Sequence, residues 1–168
     1  MLDFETVTKF GDPISVKPME KGDVHAVDAV FEAMSPEARY FRFLQAMPRL
    51  SGAMRAALSD VDGARHRAAV ARHGDRSIGL VRLVGDPAGE MELSVSVVDD
   101  WSRQGIGRLL ATGAIGAARE AGVPLLSVFV HPQNRPAMSL FRDLGFAFTF
   151  DGGVMEGRLD LASVLTAA

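Results

Sequence analysis

Two glycines flanked by arginines, Arg103-Gln104-Gly105-Ile106-Gly107-Arg108, form the clearest binding feature of this chain. The turn follows an alternating, strand-like run over 90–98 and opens a helix-like run over 106–121. That arrangement suits an anion, above all a phosphate. Glycines let the backbone approach a ligand closely, the first-turn amides of a helix lack partners within it, and the helix dipole adds partial positive charge. Arg103 and Arg108 can add full charges. A G-x-G at a helix start is equally compatible with a tight strand-to-helix turn that only needs small residues. A nicotinamide-type fingerprint requires a third glycine and an acidic residue about 20 positions later, and Leu110 stands at the glycine position. No G-x-x-x-x-G-K-[ST] loop occurs either.

The preceding strand carries the second candidate feature. Alternation places Glu90, Glu92, Ser94 and Ser96 on one face and Met91, Leu93, Val95 and Val97 on the other. A central strand is normally apolar on both faces, so the polar row predicts a bordering cleft. Asn134, the only asparagine, stands where a helix opens and reads as its N-cap. His25, His66 and His73 show no metal-ligand spacing and read as surface residues.

These residues need a sheet to position them. Residues 3–10 and 14–19 read as a strand pair around Gly11-Asp12-Pro13. A helix is expected from about Asp23, with Val24, Val27, Val30 and Phe31 at helical spacing. Ser35-Pro36 is a capping serine followed by proline at the first helical position, and Ser51 caps a third helix running to Leu58. Strands follow at 68–72, 78–84 and 90–98, then a helix over 106–121 that faces the core with Ile106, Leu109, Leu110, Ala114, Ala117 and Ala118. Gly113 and Gly116 would weaken that helix in isolation, so close packing on a sheet is the expected reason for them. A strand at 125–130, a helix at 135–144 and a closing strand pair at 146–151 and 154–160 complete the chain. The strand–helix–strand segment from 90 to 130 implies a right-handed parallel crossover in a mixed sheet. The class is α/β or α+β.

Composition removes several kinds of function. At 168 residues the chain fits one domain, spanning 1–168, with a sizeable core. A formal net charge of −3 with scattered arginines argues against a nucleic-acid partner. The absence of cysteine removes disulfides, thiolate metal sites and a cysteine nucleophile together. No apolar run approaches the roughly 20 residues that span a bilayer, and the acidic start Met1-Leu2-Asp3-Phe4-Glu5 does not look like a signal peptide. A cytoplasmic location is expected, with no membrane partner.

The element order and the stretch Ser102-Arg103-Gln104-Gly105-Ile106-Gly107 resemble the GNAT superfamily of N-acetyltransferases, whose acyl-CoA signature is [Q/R]-x-x-G-x-[G/A]. Ser102 departs from the usual first residue. Val97-Val98-Asp99-Asp100-Trp101 upstream, and Asn134, Met138 and Leu144-Gly145-Phe146 downstream, extend the resemblance over roughly 14–160. Met34 to Phe43 and Asp60-Val61-Asp62 are similar to the acetyltransferase domain of bacterial protein-lysine acetyltransferases. Some of those carry a cyclic-nucleotide-binding or acyl-CoA-synthetase-like domain, and neither is expected here.

The resemblance implies a GNAT-like mixed, mostly antiparallel sheet flanked by helices, with acetyl-CoA as co-substrate. It assigns Glu92, ten residues before Ser102, as general base. Residues 92 and 97 lie about 16 Å apart along a strand, so the base would act through a water or along a bound lysine chain. Glu90 reads as solvated. By resemblance the coenzyme rests on Arg103, Gln104, Gly105, Ile106, Gly107 and Arg108, with pantetheine along Val97, Val98 and Asn134. An amide near Val97 or Val98 serves as oxyanion donor. Phe141 occupies the position where many relatives place a tyrosine general acid, and His131 is a weak substitute. Arg135 and Arg142 are candidates for the 3′-phosphate, with solvated helix arginines as the commoner outcome. Arg39, Tyr40 and Arg42 fall in the helical pair that covers the acceptor groove in such folds and are candidates for selecting a substrate, with half of that stretch serving packing. The implied acceptor is a protein lysine; a small-molecule amine, or a silent acyl-CoA-binding module, is the alternative. Either a monomer or a homodimer is compatible.

Overall fold

In the computed structural model, which describes residues 2–165, eight strands form one sheet in the order β1-β2-β3-β4-β5-β6-β8-β7. Met1 and 166–168, within the expected 1–168 domain, lie outside the described residues. The strands are β1 (Phe4–Val7), β2 (Pro13–Pro18), β3 (His66–His73), β4 (Arg76–Gly85), β5 (Glu90–Val97), β6 (Leu125–Val130), β7 (Ala147–Asp151) and β8 (Val154–Asp160). The helices are α1 (Val24–Glu32), α2 (Pro36–Phe43), α3 (Gly52–Ser59), α4 (Ile106–Glu120), α5 (Arg135–Asp143) and α6 (Ala162–Leu165). Every pairing is antiparallel except β5 with β6, which α4 connects. The mixed, mostly antiparallel sheet and its parallel unit are as expected from the sequence.

Local chemistry sets the helix starts. Asp23, Ser35, Ser51 and Asn134 each accept the amide three residues on, at 2.9, 3.1, 3.2 and 3.2 Å. These caps satisfy amides that the helices cannot. Pairing of Leu80, Arg82 and Val84 with Ser96, Ser94 and Glu92 puts these six side chains on one sheet face, here the front. The front packs beneath α1, α2 and α3, around Val27, Val30 and Phe31. The back packs against α4. There Gly79 lets the helix approach the sheet: a Cβ would meet Leu110 Cδ1 at 3.1 Å and Ile106 Cγ2 at 3.4 Å.

Two packing expectations change. A Cβ on Gly113 would meet Leu2 at 2.7 Å, so the close partner is the chain's N-terminal segment and not a strand. A Cβ on Gly116 would meet nothing within 4 Å. The helix also buries Ala111 and Ile115, with Leu109 and Ala117 at its margin.

Candidate active site

The site begins where strand pairing stops. β5 and β6 pair only from Glu90 with Leu125 to Glu92 with Ser127, although β5 runs on to Val97 and β6 to Val130. Beyond Glu92 the two strands are no longer bonded to each other. A cleft of about 780 Å³ fills the gap, lined by β5 from Glu92 to Val97, β6 from Val128, α2 in front and α5 behind. The polar row of β5 does border a cleft.

Parting the strands frees backbone groups. The Val98 amide donates to Ile78 O at 3.0 Å, so it is engaged in the sheet and is not available as an oxyanion donor. Antiparallel alternation turns the Val97 amide to the opposite edge, towards the gap. Of the two amides expected near the oxyanion, that of Val97 is the one that faces the gap.

At the end of this edge lies the glycine turn. Gly105 is the N-cap of α4 with φ +88°, a left-handed conformation that glycine adopts without strain, and the space where its Cβ would stand is open. Arg103 is also left-handed, at φ 64°. Among the described residues no side chain caps α4. Its first-turn amides thus remain for a ligand, and the turn fits a pyrophosphate on geometry. Arg108 donates to Asp143 at 2.6 Å, which ties α4 to α5 across the rear of the cleft and partly neutralises the charge. Gln104 donates to Asp100 O at 3.3 Å while its side-chain oxygen is buried without a partner among the described residues. Ile106 is buried in the core, and Gly107 sits between Leu140 and Val97, each 3.8 Å from its would-be Cβ.

On α5, Asn134 caps the helix and lines the cleft, leaving its amide nitrogen without a partner among the described residues. Phe141 also lines the cleft and packs edge-on against Phe146 at 5.4 Å. Arg135 and Arg142 lie elsewhere. They border a separate cavity with Ser139 and Met155, because their helical positions oppose those of Pro136, Ala137 and Phe141. His131 does not line the cleft; its ring lies 5.2 Å from both Tyr40 and Phe41, joining the end of β6 to α2.

The front wall holds Arg42, one of the residues expected at the acceptor groove, and beneath it Arg82, which sequence reasoning missed. Arg42 of α2 donates to Ser94 Oγ at 2.8 Å inside the cleft. Arg39 serves packing instead, donating to the carbonyls of Phe31, Glu32 and Pro48. Arg82, only 8% exposed, donates to His66 Nε2 from Nε at 3.1 Å, with Nη2 at 2.9 Å. Since Asp60 O can only accept, His66 Nδ1 carries the hydrogen of their 2.9 Å bond, and His66 is neutral with Nε2 as acceptor. Burial, and then the Arg82 charge, hold His66 below the ordinary imidazole range. Burial lowers the Arg82 guanidinium to about 10, helped by Arg42 and opposed by Glu92. His66 is thus a buried residue, a correction to the surface expectation. Its signal was the single arginine in the apolar run 78–84. His73 is also engaged, donating to Pro13 O at 2.7 Å beside Trp101. His25 is exposed.

A strand–helix–strand unit with a phosphate-fitting turn, opening into a gap between parted parallel strands, defines an acyl-coenzyme A-dependent transferase fold. The family model of the GNAT acetyltransferases matches residues 27–146. The chain belongs to that family, whose members are acyl-CoA-dependent N-acetyltransferases.

It is similar to the GNAT domain of S. lividans PAT, with TM-score 0.87 and 26% identity over 94% of this chain and 96% of that one. An acetyltransferase of Pseudomonas aeruginosa is 28% identical over 81% of this chain and 76% of its own length. The mycothiol acetyltransferase of Thermobifida fusca is 39% identical over 75 residues, 45% of this chain. The chain covers only 23% of that relative's length. The spermidine N-acetyltransferase of Vibrio cholerae, solved with CoA and spermine, shares the fold with TM-score 0.71 and 17% identity over 90% of this chain and 98% of that one.

Proposed function

We propose that this chain acts as an acetyltransferase domain that moves an acetyl group from acetyl-CoA to a primary amine, the side chain of a protein lysine, with Glu92 as general base. The single observation that carries the reading is the gap beyond Glu92 and Ser127: it joins a carboxylate, a free strand edge and a phosphate-fitting turn in one cleft. Bound acetyl-CoA supplies the acetyl group as a thioester, so the amine's N–C bond forms as the C–S bond breaks. The amides of 105–108 hold the pyrophosphate, and Asn134 and the Val97 edge hold the pantetheine arm. The Val97 amide stabilises the developing oxyanion. Glu92 stands at the inner end of the gap, about 16 Å of strand from Val97, and takes the amine proton through water. Phe141 donates no proton; a thiolate leaving group needs little help, with a thiol pKa near 8.5.

Phe41, Phe43 and Phe129 line the path to Glu92, and an apolar wall ending in a carboxylate suits a long alkylamine. A small-molecule amine is the second reading, supported by the match to mycothiol acetyltransferase over 75 residues. No helix among the described residues is long and apolar enough to cross a membrane, which is compatible with action in the cytoplasm. A thiol-release screen of lysine peptides against small amines decides the acceptor. Glu92→Gln should cut turnover at least 100-fold, the usual scale of a general base, with coenzyme binding kept. Undiminished turnover removes the base assignment.

A further inference from the structure

We infer that a small cavity between the front of the sheet and α1, α2 and α3 binds a single monovalent anion of chloride size, held by Arg42, Arg82 and Ser96. The site lies beside the cleft and does not depend on how the acceptor is read. The cavity measures about 30 Å³, and these three residues are its polar lining; Val27, Phe31, Leu80 and the remaining walls are apolar. Strand register explains why two cations meet there. Arg82 stands directly across from Ser94, which puts their Cβ atoms about 4.5–5.5 Å apart. Arg42 comes down from α2 and donates to Ser94 Oγ at 2.8 Å. Ser96 is the next residue on the same face of β5, paired with Leu80. Among the described residues neither guanidinium forms an ion pair with a carboxylate. Glu37 and Glu92 are exposed on the cleft side and do not line this cavity.

All three side chains have donors to spare. A guanidinium carries five N–H groups. Arg82 aims Nε and Nη2 at one acceptor, the neutral His66 Nε2, and Arg42 gives one N–H to Ser94. The Ser96 hydroxyl forms no hydrogen bond among the described residues. Arg82 is buried, yet its pKa of about 10 keeps it a cation at neutral pH. Buried charges are normally paired, and two like charges repel strongly where water does not screen them. A water molecule in the cavity would accept the hydrogen bonds and leave both charges uncompensated. An anion accepts them and offsets the charges as well. Size narrows the class. Roughly 10–15 Å³ suffices for one particle the size of water, so this cavity admits a halide, which is a little larger, and excludes sulfate or phosphate.

The test is the melting temperature at constant ionic strength, with sodium chloride replacing sodium gluconate, whose anion is too large to enter. In the wild type Tm should rise with chloride and saturate, by roughly 3–6 °C at ten times Kd. Arg82→Leu, which removes one of the two cations, should show no rise. No rise in the wild type, or an equal rise in both proteins, overturns the inference. A second measurement holds even if the variant does not fold. Wild-type crystals grown in sodium bromide should give an anomalous peak inside the cavity, within hydrogen-bonding distance of Arg42 and Arg82. A cavity without that peak, or bromide on the protein surface as an adventitious ion only, overturns the inference.

Discussion

Replacing His66 by leucine separates what the fold needs from what the site needs. His66 is the only hydrogen-bond partner of Arg82 among the described residues, through contacts of 3.1 and 2.9 Å. Its loss leaves a guanidinium buried without an acceptor. Breaking a buried charged contact from one side costs about 3 kcal/mol or more. For a domain of this size that lowers Tm by about 6–12 °C, at roughly 2–4 °C per kcal/mol. Arg82→Leu should behave differently. It leaves a neutral Nε2 without its donor, a penalty of about 1 kcal/mol, but removes the cost of burying the cation. The net change should be close to zero, and the double variant should be more stable than His66→Leu alone. Thermal and urea melts of the three variants measure this coupling. If Arg82→Leu lowers Tm as far as His66→Leu does, the arginine contributes to folding as much as its partner, and the expected asymmetry is refuted.

The same histidine makes stability depend on pH. Its folded-state pKa is depressed by burial and by Arg82, so the unfolded chain binds the proton more readily. Stability should be full above about 6.5 and fall as pH drops below that value, and the slope should shrink in His66→Gln; an unchanged slope would assign the proton elsewhere. Gly157→Ala should destabilise β8, because the added Cβ would stand 2.7 Å from both Phe148 and Val128 Cγ2. A loss of about 1–3 kcal/mol is expected from such overpacking, and a melting temperature equal to wild type would show that Phe148 turns aside freely.

Some of this architecture is written locally in the chain. Ser35, Ser51 and Asn134 combine a capping side chain with a helix behind it, so their helices begin where the sequence indicates. The polar row on β5 is visible because period-two alternation sorts Glu92 and Ser94 from Leu93 and Val95 before any partner is known. The gap is not visible this way. Nothing in either strand says that pairing ends at Glu92 and Ser127, because that depends on how far the two strands diverge. The sequence cannot separate the Val97 and Val98 amides for the same reason: only the register with β4 shows that of Val98 engaged with Ile78. Arg82 and His66 sit on different strands and look unrelated until pairing brings β3 and β4 together.

The glycine turn ties these features to chemistry. Asp99, in the short 3₁₀ turn before it, accepts the Ser35 amide at 2.9 Å, so the start of α2 is fastened to the approach of the glycine turn. The α2 wall and the glycine turn are parts of one framework, and Arg42 reaches Ser94 in the cleft from that wall.

The most direct measurement is the thermal stabilisation of wild type and Gly105→Val by acetyl-CoA. At a concentration 100-fold above Kd, binding adds about 2.7 kcal/mol to the wild type, a rise of roughly 5–11 °C. A β-branched residue at φ +88° cannot keep the turn that presents the first-turn amides of α4. The variant should fold and show little or no rise. A rise equal to wild type would contradict the placement of the coenzyme on this turn.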